Sequence, residues 1–199
     1  ADDLVREAET FLALVARTVC ASPEPISRAG VALRTSMTRS TASRLVDDLV
    51  ALGVLDELEP GGSTGPGRPA TPLVAGEKLA ALGLQVNAGF LAARVVDLRG
   101  RVVAERLEVG DFVGSDPEPT LGRLAVLAAD VLDRMPATSR LVGAGLALPG
   151  IVSTGTGTLL LAPNLGWSDV QPSDVLGPGS VLGHRLRIGN EADLASRTV

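Results

Sequence analysis

The sequence predicts an α/β protein in two parts, a small helical domain closed by a hairpin and a larger domain of alternating strands and helices. Two observations predict it. Up to Gly53 the apolar residues recur at the 3.6-residue period of helices, whereas from Gly76 onward apolar runs of strand length flank one long amphipathic segment. Between them, a stretch punctuated by glycine and proline reads as a hairpin. The division falls at 1–76 and 77–199.

The first domain opens with an amphipathic helix at residues 4 to 20 (LVREAETFLALVARTVC), stopped before Pro23 and Pro25. Ser27 to Ser36 reads as a second, short helix, packed with the help of Val31, Ala32 and Leu33, and the turn Thr35-Ser36-Met37 ends it. Thr38 is placed to cap a third helix by accepting a free N–H of its first turn. In that helix Ala42, Leu45, Val46, Leu49 and Leu52 fall on one stripe, while Ser40, Ser43, Arg44 and Asp47 occupy the opposite face with Arg39 on the flank. Gly53 ends it in a residue that tolerates a left-handed backbone.

The hairpin follows. Leu55 to Leu58 forms one predicted strand and Thr71 to Val74 the other, around a tip holding Gly61, Gly62, Gly65 and Gly67. Short helix, polar turn, second helix and wing is the order of a winged helix-turn-helix that reads a DNA groove. Thr38, Arg39, Ser40, Ser43 and Arg44 are then the candidates for the major groove. Arg68, in Gly67-Arg68-Pro69, is the candidate for a narrow minor groove or the backbone; a loop arginine that touches only solvent explains the tripeptide equally well.

Charge supports the placement locally. Between Arg28 and Arg44 there are four arginines and no acidic residue, although residues 1–76 hold seven arginines against ten carboxylates. A phosphate backbone responds to the local charge. The competing reading, a solvated arginine-rich helix in a bundle, accounts for the arginines but not for the turn and wing. The whole chain carries net charge −5, so nucleic-acid contact must come from a patch.

Composition bounds the rest. The chain of 199 residues has room for a small domain and one of medium size. Its single cysteine, Cys20, lies on the apolar side of the first helix and reads as a buried structural thiol, with no disulfide or metal partner. No apolar run approaches membrane-spanning length and no signal peptide is visible, which predicts a soluble cytoplasmic protein without a membrane partner. The chain starts without Met and stops inside a helical pattern, as a fragment would.

In the second domain LAALGLQVNAG, FLAARVVDL and Arg101 to Val109 are predicted strands, with Gly100 in a turn. Residues 117 to 135 form an amphipathic helix, and LVGAGLALPG a buried strand ending in a Pro-Gly turn. A loop region, a helix near 172 to 183, a strand from His184 to Ile188 and a helix from Asn190 complete the reading. STGTGT (Ser153 to Thr158) lacks the lysine of a phosphate loop and reads as a hairpin turn. Trp167 reads as packed near a cleft, with stacking on a ligand ring as the minority reading.

Four segments carry a family resemblance: GRPATPL, LQVNAGFLAARVVDLRGRV, GAGLALPGIVSTGTGTLLLAPNLGW and RIGNEADLAS. With the N-terminal domain, the chain resembles the ROK family of sugar-responsive repressors and bacterial sugar kinases, on the regulator side. The resemblance implies a winged helix-turn-helix joined to the first lobe of an actin-like, ribonuclease H-like sugar-kinase fold, cut after that lobe.

The resemblance also divides the chemistry. Family kinases hold ATP phosphates with an Asp-x-Gly-Gly-Thr loop; the matching residues are Gln85-Val86-Asn87-Ala88-Gly89, which lack the acid, one glycine and the threonine. Family kinases bind sugar with an Asn-Asp pair whose Asp is the catalytic base; here the pair is Asn190-Glu191, and the extra methylene places Glu191 poorly for catalysis while leaving it able to recognise a hydroxyl. Asn164 and Gly150 match further sugar-lining positions. Without the resemblance, Asn190 is a helix cap and Asn164 a turn residue. The family zinc site would lie beyond residue 199, so the chain implies no cofactor, no metal ligands and no catalytic residue of its own. The expectation is a transcriptional repressor that binds operator DNA as a homodimer or larger homo-oligomer and responds to a sugar or sugar phosphate. A sugar kinase with an added DNA-binding domain, and a DNA-binding protein whose second domain only dimerises, stay open.

Overall fold

The computed structural model describes residues 2–59, 71–177 and 186–196. They fall into two compact units divided between Leu79 and Ala80.

In the first unit α1 (Asp2–Cys20), α2 (Arg28–Thr35) and α3 (Arg39–Ala51) pack around Val15, Val19, Val31, Ala42, Leu45, Val46 and Leu49. Local chemistry sets the helix ends. Ser27 Oγ accepts Gly30 N–H at 3.1 Å to start α2, and Ser36 ends it in the left-handed region at φ 56°. Thr38 Oγ1 accepts Thr41 N–H at 3.2 Å to start α3, and Gly53 follows it at φ 74°. The strands β2 (Leu55–Glu57) and β3 (Pro72–Ala75) pair antiparallel, Leu55 opposite Ala75. The two-residue strand β1 (Ile26–Ser27), absent from the sequence reading, pairs with the other edge of β3 and sets Ile26 opposite Leu73.

Three side chains differ from expectation. Leu33 is 81% exposed, because it lies roughly 200° around α2 from Val31, which takes the buried face. Leu52 is 54% exposed, because α3 ends at Ala51 and Leu52 is its cap. Cys20 is exposed at the last residue of α1, one helical step from buried Val19, so it is not a buried structural thiol.

In the second unit a five-stranded sheet runs in the order β11-β7-β4-β5-β6. Its strands are β4 (Leu79–Asn87), β5 (Phe90–Asp97), β6 (Val102–Val109), β7 (Arg140–Leu148) and β11 (Leu186–Asn190). β4, β5 and β6 form an antiparallel meander and β11 runs parallel to β7. Period-2 alternation puts Leu82, Leu84, Val86, Leu91, Ala93 and Val95 in the core. Helix α4 (Pro117–Asp133), capped by Asp116, contributes Leu121, Leu124, Ala128 and Val131 to the same core.

The predicted loop after β7 is instead a second sheet, β8 (Ile151–Val152), β9 (Leu159–Ala162) and β10 (Trp167–Val170), in the order β10-β9-β8. Strands this short leave little periodic signal; burial of Leu159, Ala162, Leu165 and Trp167 holds them. Ser153 to Thr158 is the turn joining β8 to β9, closed by Ser153 N–H on Thr158 O at 2.9 Å. Helix α5 (Pro172–Leu176) ends before Gly177, where a Cβ would collide with Ser173 O, so it is shorter than the predicted 172–183 helix; residues 178–183 and His184 lie outside the described residues. β11 is followed directly by α6 (Glu191–Ser196).

Candidate functional site

The N-terminal face of α3 is built by its cap. Thr38 Oγ1 lies 3.0 Å from Ser40 Oγ and 2.9 Å from Thr41 Oγ1, so three hydroxyls cluster at the helix start. Arg39, Ser40 and Arg44 are exposed and Ser43 is half-buried. The four arginines of this region divide into two kinds. Arg28 pairs with Asp47 at 2.6 Å and also with Glu57, and Arg34 donates to Ser22 Oγ at 3.1 Å. Among the described residues Arg39 and Arg44 make no ion pair, so their charge stays available to a phosphate or a base edge. Counting arginines along the sequence could not separate the two kinds, because Glu57 and Ser22 meet them only through folding. Arg68 lies outside the described residues.

The second site forms where β4, β7 and β11 end. Asn190, the last residue of β11, donates through Nδ2 to Gly150 O, while its Oδ1 accepts Ala192 N–H at 2.8 Å and Asp193 N–H at 3.3 Å. Asn190 therefore caps α6 and ties it to the turn after β7. Gly150 is fixed there, since a Cβ would strike Leu161 O. The next residue, Glu191, is half-buried and accepts two hydrogen bonds on Oε2, from Gln85 Nε2 at 3.0 Å and Asn87 Nδ2 at 3.3 Å. The structure thus joins Gly150, Asn190 and Glu191, and adds Gln85 and Asn87, which the sequence reading did not count as site residues. Their spacing of two on one strand puts both on one face, the signal that could have found them. No hydrogen bond links Asn164 to this group; it is exposed in the turn between β9 and β10.

The turn joining β4 to β5 is braced by hydrogen bonds of its own. Asn87 Oδ1 accepts Gly89 N–H at 3.3 Å, and the carbonyls of Ala88 and Gly89 accept Phe112 N–H at 2.9 Å and Gly110 N–H at 3.0 Å. Ala88 packs against the core. One backbone donor of the turn, Gly89 N–H, is engaged by the fold itself, while the space beside Gly89 stays open.

Trp167 is 1% exposed and donates through Nε1 to Ser115 O at 2.7 Å, which removes the ring-stacking reading. A cleft of about 440 Å³ opens beside Asn190, walled in part by Thr154, Thr156, Ser173, Arg187 and Asp193. Among the described residues no three His, Cys, Asp or Glu side chains are grouped to hold a metal ion, and no helix is long and apolar enough to cross a membrane.

The crystal structure of a ROK family transcriptional regulator, a homologue of the E. coli MLC protein, superposes with a TM-score of 0.66 at 18% identity, covering 90% of this chain and 45% of that one. That likeness carries the fold, a winged helix-turn-helix followed by an actin-like lobe. A protein of Caldicellulosiruptor sp. is 30% identical over 169 residues, 84% of this chain and 42% of its own. The xylose repressor of Caldicellulosiruptor bescii is 30% identical over 146 residues, 73% of this chain and 36% of its own. The chain belongs to the ROK family. No family model matches it. This ROK chain spans less than half the length of the relatives it matches. Within ROK proteins it pairs a helix-turn-helix unit with an actin-like lobe.

Proposed function

We propose that this ROK chain is the DNA-binding and first-lobe portion of a sugar-responsive transcriptional repressor that has no kinase activity. It works in the cytoplasm, as a homodimer or larger homo-oligomer on operator DNA. Arg39, Ser40, Ser43 and Arg44, beside the cap Thr38, read the major groove, and Arg68 meets the minor groove or backbone. Gly150, Asn164, Asn190 and Glu191 line the effector site, and domains 1–76 and 77–199 divide the two tasks.

The observation that carries the reading is that Arg39 and Arg44, beside the cap of α3 in a helix-turn-helix unit, make no ion pair among the described residues, in a chain with Gln85 and Ala88 where family kinases carry the Asp and a Gly of their phosphate loop. The names of the relatives support a repressor, and xylose is the first effector to try. An effector acts by binding one arrangement of the protein better than another.

The test is selection of operator sequences from random DNA, then shift assays with and without D-xylose. Sequence-specific binding that the sugar weakens is the expected result. Equal binding to all DNA, or ATP consumption driven by the sugar, would overturn it.

A further inference from the structure

We propose that Gln85 and Asn87 are positioning residues of the effector site, holding one oxygen of Glu191 so that the other accepts a hydroxyl of an uncharged sugar. This rests on the sugar-responsive reading above and narrows its ligand class.

Both amides reach the same atom. Glu191 Oε2 takes Gln85 at 3.0 Å and Asn87 at 3.3 Å, across 106 and 104 positions of sequence. Among the described residues no hydrogen bond occupies Oε1. Two donors from one strand face fix a carboxylate that a single bond would leave free to rotate, and a fixed acceptor loses less freedom when it binds. Gln85 is the residue this arrangement needs. An acid there would set two carboxylates about 3 Å apart, which cannot both ionise cheaply.

Charge argues for a neutral ligand. On α6 the other described charge is Asp193; on β11 it is Arg187. The two wall the cleft beside Asn190 with opposite charges, and Arg187 forms no ion pair with Glu191. β7 carries only Arg140, at its opposite end, and β4 carries no charged residue. A phosphate arriving at Glu191 would meet a carboxylate whose neighbouring amide donors are already turned to it. A hydroxyl donates to Oε1 without that conflict.

The test uses the full chain and the isosteric variants Gln85→Glu and Asn87→Asp. Thermal unfolding without ligand reads the hold on Glu191. The variants should lose midpoint relative to wild type at about pH 8, and recover much of that loss at about pH 5, where two carboxylates share a proton. Adding Glu191→Gln to Gln85→Glu reverses donor and acceptor on that bond but leaves Asn87 Nδ2 facing an amide nitrogen, so it should restore part of the midpoint at pH 8 and remove its pH dependence.

Calorimetry with D-xylose, D-glucose and glucose 6-phosphate reads the ligand. Gln85→Glu should weaken binding of the neutral sugar about tenfold at pH 8 and less at pH 5, whereas the Gln85→Glu/Glu191→Gln pair, which keeps an amide oxygen as acceptor, should recover part of that loss and show no such pH dependence. A midpoint loss equal at both pH values, or none, would overturn the positioning role. Preference for the phosphorylated sugar would overturn the ligand class while leaving the positioning role standing. If wild type binds none of the three while the midpoints behave as expected, the effector reading falls and the link between α6 and β4 is structural alone.

Discussion

The Arg28 guanidinium donates to Asp47 Oδ1 at 2.6 Å, tying the first residue of α2 to the exposed face of α3. Its other arm reaches Glu57 on β2, so one side chain links α2, α3 and β2.

Arg28→Ala should therefore loosen the first unit slightly. The partners are part-exposed, with Arg28 at 28%, Asp47 at 64% and Glu57 at 39%. Each pair contributes roughly 0.2–1 kcal/mol after screening, so the expected loss is about 1 kcal/mol, larger at low salt than at high salt. Denaturant unfolding across salt concentrations measures it; a loss that does not shrink with salt would mean packing rather than charge.

Arg39→Ala and Arg44→Ala touch no ion pair among the described residues, so they should leave folding unchanged within about 0.5 kcal/mol. A base-reading arginine among them should weaken specific operator binding by roughly 1–3 kcal/mol. One that meets only phosphate should weaken all DNA alike and lower the salt slope by about one ion. Shift assays at several salt concentrations tell these apart.

Asp97 closes the turn between β5 and β6. Its carboxylate accepts Arg99 N–H and Arg101 N–H at 2.9 Å each, and Arg101 Nε–H at 2.7 Å. Burial opposes the charged form, but these donors, chiefly Arg101, outweigh it and hold the carboxyl below its usual range. A folded-state value below the unfolded one adds stability above the unfolded value, and that stability is lost as pH falls through the folded one. Acid titration of stability should show the loss below about pH 4. Asp97→Asn should cost about 1–3 kcal/mol at neutral pH and flatten that limb.

Trp167 is the single tryptophan, so fluorescence reads it alone. At 1% exposure it should emit as a buried indole, resist acrylamide, and show no direct quenching by sugar. Trp167→Phe removes the bond to Ser115 O and should cost about 1–3 kcal/mol. Strong acrylamide quenching of the folded chain would contradict its place in the core.

Gly150→Ala should be costly for a geometric reason, since the new Cβ would strike Leu161 O and press on Ala162. A clash with backbone cannot be relieved by a rotamer change, so a loss of roughly 1–3 kcal/mol is expected. Because Asn190 is bonded to Gly150 O, the same change should disturb the cap of α6. Unfolding measurements on this variant beside Gly89→Ala, which has open space, test the assignment.

What the sequence by itself determined is whatever depends on near neighbours. The stripe Ala42-Leu45-Val46-Leu49, the Thr38 cap, the Gly53 stop and the alternation of β4 and β5 all act within a few residues, and each is written in the spacing of side chains. The family motifs likewise pointed to Asn190 and Gly150. Only the tertiary structure decided which arginines are engaged, that Leu33, Leu52 and Cys20 face solvent, and that the stretch after β7 is a sheet. It alone brought Glu191 to Gln85, 106 positions away. Such facts depend on which surfaces meet, and the register of non-local strands and the length of a helix set that after local propensity has been spent.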